Sequence, residues 1–206
     1  MTPNRKYSDP LPVMESFYTI QGEGAHQGRA AYFIRLGGCD VGCVWCDVKE
    51  SWDMDAHPLH NVEDLMTGIP SDIAPIVVVT GGEPLMHDLS VLTSAIHARG
   101  LKAHIETSGS HPLSGQWDWI TLSPKKFKAT LPEALAAADE LKVVISHPSD
   151  LDWAADHARA TASGCRLFLQ PEWSRRERMT PLILERIKKD PRWTLSLQVH
   201  KYIGVP

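Results

Sequence analysis

Three cysteines lie close together in the chain and carry its clearest chemical signal. Cys39, Cys43 and Cys46 follow the spacing C-x3-C-x2-C. Three thiolates on one short loop can reach a single metal centre, and a four-iron cluster commonly takes four protein thiolates. With three protein ligands, one iron would stay open to a small molecule. The spacing therefore predicts a catalytic iron–sulfur site rather than a structural one.

Other uses of these cysteines remain open at this point. A structural zinc site needs four ligands, and His26 or His57 could supply the fourth, although no second paired set of ligands appears. Disulfides are disfavoured because the chain holds only four cysteines and shows no secretory signal peptide. Cys165 stands alone, which is typical of a small buried hydrophobe, and receives no role. A non-catalytic metal-binding module is also compatible with the pattern.

Length and composition narrow the class of protein. A chain of 206 residues fits a single domain over residues 1–206 with a substantial core. Residues 1–12 are polar and hold three prolines, so we expect a loose N-terminal arm. The net charge of −4 predicts no nucleic-acid partner, and no apolar run approaches the ~20 residues of a membrane span. Reduced thiols without a targeting segment predict a cytoplasmic protein.

Strand-like and helix-like stretches alternate along most of the chain. The predicted strands cover residues 31–36, 76–80, 102–106, 119–122, 140–145, 166–170 and 194–198. The predicted helices cover residues 89–99, 131–138, 151–163 and 180–189. Residues 48–75 are expected to form a loop with at most one short helix, at 62–66. Such alternation indicates parallel β/α units, and about six units are fewer than the eight of a closed barrel. We therefore predict an α/β fold with an open, partial β/α barrel.

Polar or glycine-rich segments follow five of the predicted strands. They are the cysteine loop and residues 80–84, 106–109, 123–125 and 170–172. Each could be an ordinary turn or a solvated surface when considered alone. In parallel β/α proteins, however, the carboxyl ends of the strands meet at one edge of the sheet, where the active site lies. Together the five segments predict one shared site at that edge.

Two motifs in order carry a family resemblance. The cysteine loop after the first predicted strand, followed by Gly-Gly-Glu-Pro at 81–84 after the second, resembles the radical S-adenosylmethionine superfamily. Within it, Gln-Gly-Glu-Gly at 21–24 and His-Lys-Tyr at 200–202 resemble the 7-carboxy-7-deazaguanine synthases, over nearly the whole chain. Another enzyme of the superfamily, such as an activase that forms a glycyl radical on a protein partner, would share only the first two motifs.

The resemblance implies a specific reaction. 6-Carboxy-5,6,7,8-tetrahydropterin would contract to 7-carboxy-7-deazaguanine with loss of ammonia, as a carbon–nitrogen lyase reaction of queuosine biosynthesis. A [4Fe–4S] cluster and catalytic S-adenosylmethionine would supply the radical chemistry. The resemblance also implies a homodimer and an electron donor such as flavodoxin.

The resemblance assigns roles to residues of this chain. Cys39, Cys43 and Cys46 would hold the cluster. The S-adenosylmethionine site would comprise Trp45, Cys46, Asp47, Gly82, Glu106, Ser108, Ser123, Pro124, Lys125, Gln170, Pro171 and Glu172. The pterin site would comprise Ile20, Gln21, Gly22, Glu23, Arg35, Thr80 and Pro206, with the last residue contributing a terminal carboxylate. Glu23 and Arg35 are the catalytic candidates, reading the 2-aminopyrimidine edge and pairing with the substrate carboxylate, respectively.

One position departs from the family pattern. The family commonly has a hydroxyl residue directly after Cys-Asp, where it ligates a Mg2+ that also binds the substrate carboxylate. This chain has Val48 there, and Val48 has no ligand atom for a hard cation. The implied Mg2+ would thus be absent, or held by water, Asp47 and substrate alone.

Overall fold

The computed structural model describes residues 8–70 and 76–206 as an α/β fold. Its strands are β1 (Leu11–Ile20), β2 (Ala30–Leu36), β3 (Leu59–His60), β4 (Ile76–Gly81), β5 (Lys102–Thr107), β6 (Trp119–Leu122), β7 (Glu140–Ile145), β8 (Arg166–Pro171) and β9 (Trp193–Leu195). Its helices are α1 (Val62–Gly68), α2 (Ser90–Ala98), α3 (Pro132–Ala137), α4 (Asp150–Ala158), α5 (Arg176–Lys189) and α6 (Val199–Ile203).

The strands join into one open sheet. Their order is β3-β1-β2-β4-β5-β6-β7-β8-β9. The seven strands from β2 to β9 in this order pair in parallel, whereas β1 runs antiparallel to both β2 and β3. The sheet curves into a partial β/α barrel that does not close, which confirms the predicted fold class. That the chain forms a single domain stays a prediction.

The two faces of the sheet differ in chemistry because side chains alternate along a strand. In β7, Leu141 and Val143 enter an apolar core shared with the helices, while Glu140 and Lys142 lie on the opposite, inner face. The same alternation in β2 and β4 buries apolar residues outward and leaves Arg35 beside Thr80 on the inner face. The interior of the barrel is therefore polar near the carboxyl ends of the strands.

Several element boundaries differ from the sequence prediction. α5 begins at Arg176 rather than at 180. The predicted start was wrong because Pro181 lies in the first turns of the helix, and a proline there is easily mistaken for the first helical residue. α4 ends at Ala158, well before Gly164. β9 covers Trp193–Leu195 rather than residues 194–198. The last residues of the predicted strand, 196–198, form the segment before α6, a helix that the sequence prediction missed.

The N-terminal segment corrects the prediction of a loose arm over residues 1–12. β1 begins at Leu11, which is fully buried and pairs with β3, so Leu11 and Pro12 belong to the sheet. Residues 1–7 lie outside the described part of the chain. The antiparallel strands β1 and β3 were both missed because neither reads as a buried parallel strand. No helix in the described ranges is long and apolar enough to span a bilayer.

Candidate active site

A cavity of about 550 Å3 opens at the carboxyl ends of the parallel strands. All five predicted polar segments contribute residues to its wall. Cys39 comes from the loop after β2, and Thr80 and Gly82 come from the end of β4. Glu106 comes from the end of β5, and Lys125 comes from the segment after β6. Gln170 and Glu172 line it from the end of β8. The shared site predicted at this edge of the sheet is thus present as one continuous cavity.

The cysteine loop is fixed to the protein through its backbone. Gly38 and Cys39 donate their N–H groups to Ser51 and Trp52 over 2.7 and 3.0 Å, and Cys46 donates to the carbonyl of Cys43 over 3.0 Å. The three thiols are free and all line the cavity. Burial raises the pKa of Cys43 to about 11, although the Lys125 charge opposes that shift. Because iron binds the thiolate, cluster formation must release these protons.

The donor set fits an iron–sulfur cluster with three protein ligands. Cys39, Cys43 and Cys46 share one wall of the cavity, whereas His26 and His57, the candidates for a fourth zinc ligand, do not line it. Within residues 8–70 and 76–206, no three His, Cys, Asp or Glu side chains converge on one point.

The Gly-Gly-Glu-Pro segment packs directly against the cysteine loop. Gly82 and Glu83 donate their N–H groups to Leu36 and Gly38 over 3.0 and 2.8 Å. A Cβ at Gly82 would lie 2.2 Å from the Gly38 carbonyl oxygen, so only glycine permits this approach. The buried Glu83 carboxylate accepts hydrogen bonds from the Ser108 N–H at 2.8 Å and from Thr107 at 2.5 Å. Glu83 thereby holds together two segments of the cavity wall.

A buried lysine joins two carboxylates at the bottom of the cavity. The Lys142 side chain is 3% exposed, and its ammonium group forms ion pairs with Glu23 and Glu106, the latter at 3.2 Å. Burial favours the neutral form of Lys142, but Glu106, Glu23 and Glu140 outweigh it and raise its pKa. Burial likewise raises the pKa of Glu23, but the Lys142 charge and hydrogen bond, with smaller contributions from other groups, hold it at about 2. Lys142 and Glu23 are therefore charged at neutral pH.

Two further cations lie at the wall of the cavity. Lys125 donates to the carbonyl and hydroxyl oxygens of Ser123 over 2.6 Å each, and its burial lowers its pKa. Arg35 is oriented from the side by Glu15, which accepts from Nε over 2.7 Å. Arg35 thus presents a planar cation beside Thr80 at the end of neighbouring strands.

Helix α6 covers part of the cavity from the C-terminal side. Val199 donates its N–H to the carbonyl of Gly22 over 3.0 Å, and Gln198 donates to Glu23 over the same distance. Lys201 forms an ion pair of 2.6 Å with Asp47, in the cysteine loop. The helix therefore links the turn after β1 to the cysteine loop.

The cavity gathers nearly all of the residues assigned from the sequence. The following line it: Ile20, Gln21, Gly22, Glu23, Arg35, Cys39, Cys43, Trp45, Cys46, Asp47, Thr80, Gly82, Glu106, Ser108, Ser123, Lys125, Gln170, Glu172 and Pro206. Pro124 and Pro171 do not line it. Their assignment to cofactor binding stays a prediction.

Several residues of the cavity received no role from the sequence. They include Glu83, Lys142, Gln198, His200 and Lys201. The sequence did hold a signal for Lys142. It is a lysine in an otherwise apolar strand, and because side chains alternate along a strand, it lies on the same face as Glu140. The residues of α6 had none, since the sequence does not show that this helix folds back over the cavity.

Comparisons with known proteins agree with these features. The family model described as the radical SAM superfamily matches residues 33–148. A 7-carboxy-7-deazaguanine synthase of Flavobacterium psychrophilum is 52% identical, over 95% of this chain and 93% of its own. The enzyme of the same name from Escherichia coli K12 is 36% identical, over 94% and 98% of the two chains.

A solved structure shows the same similarity in three dimensions. The crystal structure of QueE from Escherichia coli superposes with a TM-score of 0.82 at 33% identity, covering 92% of this chain and 94% of that one. The chain therefore belongs to the 7-carboxy-7-deazaguanine synthase family of the radical SAM superfamily.

Proposed function

We propose that the chain contracts the ring of 6-carboxy-5,6,7,8-tetrahydropterin to give 7-carboxy-7-deazaguanine and ammonia, acting as a carbon–nitrogen lyase. The observation that carries this proposal is the single cavity that joins the cysteine loop to Gln21, Glu23 and Arg35. Any radical enzyme of the superfamily needs the cysteine loop, whereas an enzyme that binds a pterin also needs groups such as Gln21, Glu23 and Arg35. The glycyl-radical activase, by contrast, has no use for a buried set of groups that read a heterocycle.

Cys39, Cys43 and Cys46 would hold the [4Fe–4S] cluster, and S-adenosylmethionine would occupy the wall formed by the ends of β4, β5, β6 and β8. When bound, these two groups supply hydrogen-atom abstraction. Glu106 lies at the end of β5, where its carboxylate can accept hydrogen bonds from the hydroxyl groups of a ribose.

The protein's own groups orient the pterin. Glu23 is ionised at neutral pH and accepts hydrogen bonds, which matches the donors on the 2-amino edge of a pterin. Arg35, beside Thr80 on the inner face, provides a bidentate partner for the substrate carboxylate. Binding the two ends of the substrate at fixed points would limit the rotation of the pterin within the cavity.

Magnesium would have fewer protein ligands here than the family pattern implies. Val48 lines the cavity but offers no oxygen, and the neighbouring Asp47 is already paired with Lys201. We infer a weak preference for Mg2+, held by water, Asp47 and the substrate. We also propose a homodimer, a flavodoxin-type electron donor and a cytoplasmic location, the last because cluster ligands must stay reduced.

An anaerobic assay tests the function directly. Reconstituted protein is incubated with 6-carboxy-5,6,7,8-tetrahydropterin, S-adenosylmethionine and dithionite, with and without Mg2+. We expect 7-carboxy-7-deazaguanine to accumulate while S-adenosylmethionine is not consumed in proportion. A protein that carries the cluster and cleaves S-adenosylmethionine but leaves the pterin unchanged would contradict the proposal.

A further inference from the structure

A closed ring of hydrogen bonds lies at the bottom of the cavity. The Glu23 N–H donates to the Gln21 side-chain oxygen over 3.0 Å, and the Gln21 amide donates to Glu106 over 2.8 Å. Lys142 completes the ring by donating to Glu106 over 3.2 Å and to Glu23. Each of the four residues thus contacts two others of the ring. We call these four residues the Lys142 ring.

The Lys142 ring joins groups assigned to two different ligands. Gln21 and Glu23 belong to the turn after β1, which would bind the pterin. Glu106 ends β5, on the wall that would bind S-adenosylmethionine. Lys142 lies on β7 and belongs to neither set, yet it is the ion partner of a carboxylate from each. The two ligand sites are therefore connected through one buried ammonium group.

Burial and charge make this connection stiff. Lys142 is 3% exposed, and the side chains of Glu23 and Glu106 are 13% and 22% exposed. Two carboxylates share one cation, so a change at either one alters the position of the ammonium group relative to the other. In a site shielded from bulk water such charged hydrogen bonds are stronger than in water. A ligand that fixes one carboxylate thereby also restrains the second.

We propose that Lys142 couples the two binding sites, so that S-adenosylmethionine and the pterin each increase the affinity for the other. This inference rests on the proposed function. The first ligand fixes the carboxylate that it contacts and, through the shared ammonium group, restrains the other carboxylate, so the second ligand binds a site that has less freedom to lose. Coupling between equilibrium affinities is reciprocal, so both ligands must show the same factor. Lys142 is in this sense a positioning residue.

A binding experiment without turnover tests the coupling. The cluster-loaded protein is kept oxidised, without any reductant, and 6-carboxypterin serves as an unreactive analogue of the substrate. Calorimetry under anaerobic conditions gives the Kd of S-adenosylmethionine with and without saturating 6-carboxypterin, and then the reverse. For the unchanged chain we expect a coupling of about tenfold in both orders.

Three variants and one control separate coupling from folding. Lys142→Met should reduce the coupling to less than about twofold, while Lys142→Arg, which keeps the charge, should retain part of it. Gln21→Met breaks the other link to Glu106 and should lower the coupling, and it can be measured even if Lys142→Met fails to fold. A loss of pterin affinity in this variant does not disturb the comparison, because the coupling is a ratio of affinities. Lys102→Met is the matched control. Lys102 is an exposed lysine that is also ion-paired, with Asp118, but lies outside the Lys142 ring.

The possible outcomes are distinct. The inference is overturned if both ligands bind the unchanged chain without coupling, or if Lys142→Met or Lys142→Arg keeps the full tenfold factor. In either case the proposed function stands. If 6-carboxypterin does not bind the unchanged chain at all, the proposed function fails together with the inference.

Discussion

At the scale of single residues, the cavity contains both soft ligands that can hold a metal and charged groups that can bind a heterocycle. The thiols lie on the cysteine loop after β2, Arg35 lies on β2 itself, and Glu23 lies in the turn after β1. Each kind of residue has a separable task. Substitutions should therefore divide into those that remove the cluster and those that leave the cluster but weaken substrate binding.

Cys43→Ala should abolish cluster assembly, because two remaining thiolates are too few to hold four irons. Iron content and visible absorbance after anaerobic reconstitution provide the measurement. Cys165→Ala is the control, since Cys165 packs in the core around α4 and α5, away from the cavity. An unchanged iron content in Cys43→Ala would refute the assignment of Cys43.

Arg35→Met should raise KM for the pterin by about 10- to 100-fold, the usual effect of losing hydrogen bonds to a charged group. The cluster content should not change. Steady-state kinetics of product formation provide the measurement. Glu15→Gln, which removes only the group that orients Arg35, should raise KM less. Equal effects of both variants would mean that Arg35 does not contact the substrate itself.

Val48→Thr should increase the stimulation by Mg2+, because it supplies an oxygen ligand at a position where the chain has none. The rates of the unchanged chain and the variant are compared after exhaustive chelation and after Mg2+ is restored. Chelation should lower the rate of the unchanged chain only modestly. If chelation has no effect on it at all, the proposed Mg2+ preference is wrong.

At the scale of elements, the cavity depends on how the loops after β2 and β4 pack against each other. Gly82 approaches the backbone of the cysteine loop at Gly38, and Glu83 ties the same segment to the end of β5. Neither contact lies within a helix or strand. The position of the cysteines therefore follows from loop packing on a rigid sheet.

Gly82→Ala should destabilise the protein by about 1–3 kcal/mol, the usual effect of overpacking, and should impair cluster assembly. Its Cβ would lie 2.2 Å from a backbone oxygen, which a rotamer change cannot relieve. Gly164→Ala is the matched control, because a Cβ there meets no atom within 4 Å. Thermal unfolding and iron content provide the readouts. Equal Tm values for the two variants would contradict this account of Gly82.

At the scale of the whole molecule, the open barrel is bridged by its own N-terminal region. The turn after β1 reaches across the barrel interior, where Ala25 donates to Glu140 on β7 over 2.9 Å and Gly24 donates to Ser196 over 3.0 Å. The ion pair of Glu23 with Lys142 is part of the same bridge. The stability of the whole fold should therefore reflect the charge state of Glu23.

Folding stability should fall in acid partly because of Glu23. Burial alone would raise the pKa of Glu23, but Lys142 and its other partners outweigh burial. The pKa therefore falls from the ordinary 4.5 to about 2 in the folded protein. The resulting stabilisation is fully present above about pH 4.5 and is lost as the pH falls through about 2. At pH 7 it amounts to about 3 kcal/mol.

Urea unfolding between pH 7 and pH 2.5 measures this contribution. Cluster-free protein is required, because the thiolate ligands become protonated in acid. The Glu23→Gln variant should be the less stable at pH 7, and the difference in unfolding free energy should shrink as the pH falls. A difference that stays constant over this range would show that Glu23 is not held ionised by Lys142.

The sequence by itself determined the α/β class, the parallel strands and the polar segments of the cavity wall. These follow from local patterns: apolar runs mark buried strands, and polar segments at their carboxyl ends mark one shared edge. The roles of single cavity residues were implied by the family resemblance. The antiparallel β1 and β3 were not determined in this way. Their residues become buried only by pairing with partners that are distant along the chain.

Only the tertiary structure decided which of these groups act on each other. Lys142 lies 119 residues from Glu23 and 36 from Glu106, yet it bonds to both. The closure of α6 over the turn at Gly22 is likewise a contact between the two ends of the chain. A sequence pattern reports which face of its own element a residue occupies, but the partner across the barrel depends on how the strands are ordered and curved.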